Sequence, residues 1–135
     1  MATDAVGVQH FSSGDVGTWF QAGEVDMAVG DVIAPPGNAA MSVGYAHYRK
    51  GASNAWTVTY DEALIITRGL FSVRSGETRK TAAVGELIYL HAGTPVVYEA
   101  DEDTTLIYVC YPALGLAPVA GFHSVDGATV ARLAG

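Results

Sequence analysis

The feature that most constrains this chain is its punctuation. Short runs rich in Val, Ile, Tyr and Thr recur along most of its length, each closed by a turn that usually carries glycine. A strand needs only about five or six residues, whereas a packed helix needs apolar residues returning every three or four positions over a longer window. Here the apolar residues alternate or form short blocks, so strand dominates and helix is scarce. The expected strands are Thr18–Gln21, Val25–Val29, Ser42–Arg49, Thr57–Tyr60, Glu62–Thr67, Leu70–Arg74, Glu77–Ala82, Glu86–Leu90, Pro95–Glu99 and Thr104–Cys110. The turns between them fall at Pro35-Pro36-Gly37-Asn38, Lys50-Gly51, Arg68-Gly69, Ser75-Gly76 and Ala92-Gly93-Thr94. Ser75-Gly76, set between two alternating runs, predicts a tight hairpin. The fold class read from this pattern is all-β, an antiparallel sandwich or barrel.

The ends read differently from the middle. Residues 1–16 are small and polar, an arm or an edge strand; residues 17–113 form the barrel; residues 114–135 form a tail. From Pro112 the chain reads as loop, and then Asp126-Gly-Ala-Thr-Val-Ala-Arg-Leu predicts a short helix. Asp126 would be its N-cap, with Arg132 in the last turn and Gly135 beyond. A length of 135 residues predicts one domain able to bury its own core. Seven Lys and Arg stand against 14 Asp and Glu, a net charge of −7. That balance argues against nucleic acid, whose phosphates call for clustered basic residues. No apolar run approaches the ~18 residues of a membrane span, and the first ten residues lack a signal-peptide pattern. The lone Cys110 forms no internal disulfide and no multi-Cys zinc site. A cytoplasmic location is the expectation.

Trp56-Thr-Val-Thr-Tyr-Asp-Glu62 followed by Gly69, and then Gly85-Glu-Leu-Ile-Tyr-Leu-His-Ala-Gly93, resemble the two signatures of the cupin superfamily. Glu62-x6-Gly69 fits the end of the first motif, while Gly85 and Gly93 fit the second. The W-T-x-x-Y-D-E stretch, with its later Tyr108-Val-Cys-Tyr-Pro112, is similar to the cupin domain of the ethanolamine-utilisation protein Q family. The resemblance covers roughly residues 41–113. It implies a single jelly-roll barrel, a homodimer, and a setting in amine or aldehyde catabolism. The usual metal ligands do not carry over. Counting back from Glu62 puts Trp56 and Val58 at the two first-motif His positions, and counting forward from Gly51 puts Thr57 and Thr59 there. In the second motif His91 replaces the Pro, Val96 the third His and Ala100 the Asn. One carboxylate does not make a first-row metal centre, so no metal and no cofactor is expected. The ethanolamine-utilisation relatives also lack the His set.

Strand alternation then nominates a pocket. If Glu62 points inward, Trp56, Val58 and Tyr60 share its parity, and Val96 with Tyr98 faces in from the second motif. The catalytic candidates are Glu62, Tyr60, Tyr98 and His47; the ligand-contacting candidates are Trp56, Val58, Val96, Tyr108 and Tyr45. A buried carboxyl beside a phenol moves a proton near neutral pH, or the pair satisfies the interior and nothing more. His47 joins Glu62 only if its strand turns it inward; otherwise it is a hydrogen-bonded surface group. His91 reads as an exposed turn residue and Cys110 as a small buried hydrophobe. The seven tyrosines admit an aromatic cage for an ammonium ion, or plain sheet packing. Asp101-Glu-Asp103 reads as a solvated turn. No P-loop, G-x-S-x-G, H-E-x-x-H or C-x-x-C occurs.

Three readings follow. The first is a metal-independent small-molecule protein, binding or performing acid/base chemistry in its barrel. The second is a non-catalytic dimeric module. The third is a metal-dependent barrel with rearranged ligands from His47, Glu62 and His91.

Overall fold

The computed structural model describes residues 7–116 and 119–135. Residues 1–6 of the expected arm, and Ala117-Pro118 of the loop read after Pro112, lie outside the described residues. Residues 7–16 hold one 3-10 turn, Ser13–Asp15, and no strand.

Among the described residues eleven strands and one α-helix follow: β1 (Trp19–Ala22), β2 (Met27–Ile33), β3 (Ser42–Tyr48), β4 (Ser53–Thr57), β5 (Asp61–Arg68), β6 (Leu70–Ser75), β7 (Thr78–Ala83), β8 (Leu87–Leu90), β9 (Pro95–Ala100), β10 (Thr104–Tyr111), β11 (Phe122–Val125) and α1 (Gly127–Ala134). One sheet runs β11-β1-β2-β3-β10-β5-β8 and the other β4-β9-β6-β7, with every pairing antiparallel. The all-β jelly roll with one short C-terminal helix is therefore the observed architecture.

Alternation places the core. Burial switches residue by residue along β3, β5, β9 and β10. This brings Tyr48, Leu64, Ile66, Tyr98, Leu106 and Tyr108 between the two sheets, where Phe71 and Val73 of β6 meet them. Apolar burial of this kind stabilises at about 25 cal/mol per Å² removed from water. The register sets the rows across the larger sheet: Ser42 pairs Cys110, which pairs Glu62, and Gly44 pairs Tyr108, which pairs Leu64. Gly44 is required by its row, because a Cβ there would sit 2.2 Å from the Tyr108 hydroxyl oxygen. Gly69 alone joins β5 in one sheet to β6 in the other. It turns at φ +90°, and a Cβ on it would meet the Asp103 carbonyl oxygen at 2.1 Å.

Two elements differ from expectation. The strand expected over Thr57–Tyr60 lies earlier, at Ser53–Thr57, paired with β9. Val58–Tyr60 instead carries the chain across to the other sheet, with Val58 held by backbone hydrogen bonds with Thr94 and Gly93. The tail contributes β11, an edge strand pairing β1 that the sequence reading missed. Helix α1 packs on β2 and β3 through the buried Leu133, and the Asp126 carboxylate accepts from the Thr129 N–H at 2.8 Å. Among the described residues no helix is long and apolar enough to cross a membrane.

Candidate functional site

The space between the sheets closes on a cavity of about 60 Å³. β5 brings in Glu62, β9 of the opposite sheet Tyr98, β10 Tyr108 and Cys110, β4 Trp56, and the β4–β5 crossing Tyr60. Tyr48 from β3, Phe71 from β6 and Phe122 from β11 complete seven aromatic side chains on the wall. Asn54 is the remaining polar side chain there.

Glu62 is the centre of the polar chemistry. It is 6% exposed. The Tyr98 hydroxyl reaches across the sandwich to donate to its Oε1 at 2.7 Å, and the Cys110 thiol donates to Oε2 at 3.4 Å. The second contact follows from register, since Cys110 and Glu62 are paired on adjacent strands. Burial raises the Glu62 pKa, and these two hydrogen bonds offset part of the rise. Tyr98, Tyr60, Tyr48 and Cys110 are all pushed upward, first by burial and then by the Glu62 charge. They stay protonated at neutral pH and act as donors. The Trp56 Nε1–H donates to the Tyr60 oxygen at 3.0 Å, which leaves the Tyr60 hydroxyl proton for another acceptor.

A second carboxyl–phenol pair adjoins the same cavity through Tyr108. The Tyr108 hydroxyl donates to Asp31 Oδ1 on β2 at 2.5 Å, and burial raises the Asp31 pKa.

Of the residues nominated from the sequence, Glu62, Tyr60, Tyr98, Trp56 and Tyr108 come together on the cavity wall. Val58 and Val96 point inward and are buried, but they pack behind the wall. His47 and Tyr45 do not face in. They alternate with Gly44, Ala46 and Tyr48, so the parity that buries Tyr48 turns them to the outer face. There His47 stacks on Trp19 with centroids 5.1 Å apart and lies 3.0 Å from the Thr105 hydroxyl. His91 is exposed, edge-on to Tyr89 at 4.9 Å. A ligand set of His47, Glu62 and His91 is thus not assembled, because the sheet itself separates His47 from Glu62.

The sequence reading missed Tyr48, Phe71 and Phe122 as wall residues. Tyr48 was within reach of the alternation that excludes His47. Phe122 had no signal, since its four-residue strand lies between the loop read from Pro112 and the helix read from Asp126.

Cupin barrels in general imply a metal, and the fit can be tested on the donors present. Among the described residues no three His, Cys, Asp or Glu side chains converge. Glu62 is accompanied by phenols and a thiol whose burial resists the deprotonation that metal ligation needs. The donor set does not fit a divalent cation.

Comparison with known proteins agrees with the architecture. The family model described as ethanolamine utilisation protein EutQ matches residues 16–115. The EutQ protein of Clostridium difficile superposes with a TM-score of 0.63 at 22% identity, over 70% of this chain and 68% of that one. A Rhizobium leguminosarum bv. viciae 3841 protein of unknown function gives 0.66 at 25% identity, over 79% and 99%. An RmlC-like cupin of Shewanella frigidimarina gives 0.62 at 17% identity, over 78% and 93%, a likeness of fold. Among curated proteins no sequence matches. With the family match spanning β1 to β10, and a jelly-roll fold shared with an RmlC-like cupin, the chain belongs to the EutQ family.

Proposed function

We propose that the barrel cavity is a metal-independent small-molecule site in which Glu62 takes and returns a proton. The observation that carries this reading is the Tyr98–Glu62 pair on the wall of a cavity, a buried carboxyl with free space beside it. Burial brings a carboxyl closer to neutrality, where an acid/base group works best. Tyr98 holds Glu62 in place, Tyr60 has a hydroxyl proton to offer a ligand, and the rings supply apolar contact. The ethanolamine-utilisation name of the family agrees with a small polar ligand.

The test uses chelator-treated protein and small amines, alcohols, aldehydes and carboxylic acids. Fluorescence of Trp56, isolated in a Trp19→Phe background, reports occupancy because its indole bonds Tyr60. A saturable change without added metal is expected. For any turnover found, Glu62→Gln lowers kcat by about 100-fold or more while the far-UV spectrum is unchanged. A ligand response or turnover that requires added metal overturns the reading, as does full activity in Glu62→Gln.

A second reading, a dimeric module, is favoured by a different surface. The outer face of β3, β10, β5 and β8 presents Val43, Tyr45, Ile65, Ile107, Val109 and Leu87, all half-buried or exposed. Asp61 at the rim is its one acidic side chain by alternation, and Tyr89 and the Ala92 N–H already bond to it. In a chain of net charge −7, a face with so few charges is where a second copy docks with least repulsion. We infer that two chains pair through it.

A further inference from the structure

The inference concerns what enters the cavity, and it rests on the reading of that cavity as a ligand site. Among the described residues the wall holds no Lys, Arg or His. Its one carboxyl, Glu62, has a phenol and a weak thiol donor as partners, and neither brings a positive charge. A buried carboxyl without a counter-charge is costly to ionise. An anionic ligand would add a second negative charge beside it. A neutral ligand would leave the carboxyl in its protonated form, with no charge to pair.

A cation supplies what is missing. Phenol and indole rings present negative faces to positive charge, and Tyr48, Trp56, Tyr60 and Tyr98 line the same cavity as Glu62. Primary ammonium N–H groups need oxygen acceptors when buried, and Glu62 with the Tyr60 and Tyr48 oxygens provides them. The cavity of about 60 Å³ has room for a small carbon skeleton. The net charge of −7 also raises the local concentration of cations.

We propose that the cavity selects a small primary ammonium ion, with Glu62 as its counter-ion and the surrounding tyrosines as its walls.

The test compares three probes on wild-type protein at matched ionic strength: n-propylammonium, its near-isostere 1-propanol, and propionate. Thermal melting and the NMR signals of the tyrosine rings are followed against probe concentration. Propylammonium should raise the Tm and shift the ring signals at concentrations where the other two do neither. In Glu62→Gln, checked to be folded, its apparent affinity should fall by about tenfold or more. If Glu62→Gln does not fold, the wild-type comparison of charged and uncharged probes decides alone. Equal or stronger responses to 1-propanol or propionate overturn the ammonium assignment and leave the ligand site standing. Undiminished propylammonium binding in folded Glu62→Gln also overturns it. Silence of the ring signals toward all three overturns both the assignment and the site.

Discussion

Glu62 and His47 show how one residue's parity decides its chemistry. Both sit on strands of the larger sheet, and both are titratable, yet one faces the core and the other the outside. Glu62 meets donors because Cys110 is its strand partner and Tyr98 lies opposite in the second sheet. His47 meets Trp19, Thr105 and the more distant charge of Arg68. Burial first, and then Arg68, holds its pKa below the usual 6.5. The unfolded chain therefore binds a proton that the folded one refuses, so stability rises with pH through this window. The His47 contribution is intact above about pH 6.5 and is lost as the pH falls through that value toward the lower folded pKa. Urea midpoints measured from about pH 8 to about pH 5 should show this loss, and His47→Gln should flatten that part of the profile. An unchanged profile would exclude His47 as its source.

At the scale of elements, the alternating strands were legible and the irregular ones were not. Ser42–Arg49, Glu62–Thr67 and Thr104–Cys110 match β3, β5 and β10 to within a residue or two, because a half-buried strand writes its period into the sequence. The Ser75-Gly76 hairpin is present, with Gly76 and Glu77 forming the loop between Ser75 and Thr78. β4 was displaced because Ser53, Asn54 and Ala55 are poor strand formers, held in line by pairing with β9. β11 was missed for the same reason: its partner, β1, lies about a hundred residues earlier. Helix α1 was legible through its cap, Asp126. Its anchor is Leu133, 1% exposed against β2 and β3. Truncating a leucine buried to that degree costs about 2–5 kcal/mol. Leu133→Ala should lower the urea-unfolding free energy by that amount. Asp126→Ala, which removes only the cap, should cost about 1 kcal/mol.

At the scale of the whole molecule, the two sheets make two unlike surfaces. The inner faces share one mixed aromatic and acidic cavity, while the free outer face is apolar and nearly uncharged. The proposed pairing of chains uses the second without touching the first. Light scattering after size exclusion should give twice the chain mass for wild type. Leu87→Lys combined with Tyr111→Lys, the latter on the same outward side of β10 as Val109, at positions 60% and 59% exposed, should give single chains that keep their melting temperature. A monomeric wild type would remove the pairing and leave the cavity untouched.

The sequence by itself determined that the chain is a β-barrel with a capped C-terminal helix, that it carries cupin-like turn glycines, and that Glu62 stands without the usual histidines. Each of these is local: alternation, turn chemistry and spacing act over a few residues, so they can be read in line. The tertiary structure decided which side of each strand is inside, and with it the exclusion of His47 and Tyr45 and the entry of Tyr48, Phe71 and Phe122. It also decided that Tyr98 and Cys110 satisfy Glu62. Those partners lie 36 and 48 residues away in the chain. Strand pairing within the larger sheet brings Cys110 to Glu62, and the closing of the second sheet over the core brings Tyr98, because burial and the pairing of distant strands are properties of the folded whole.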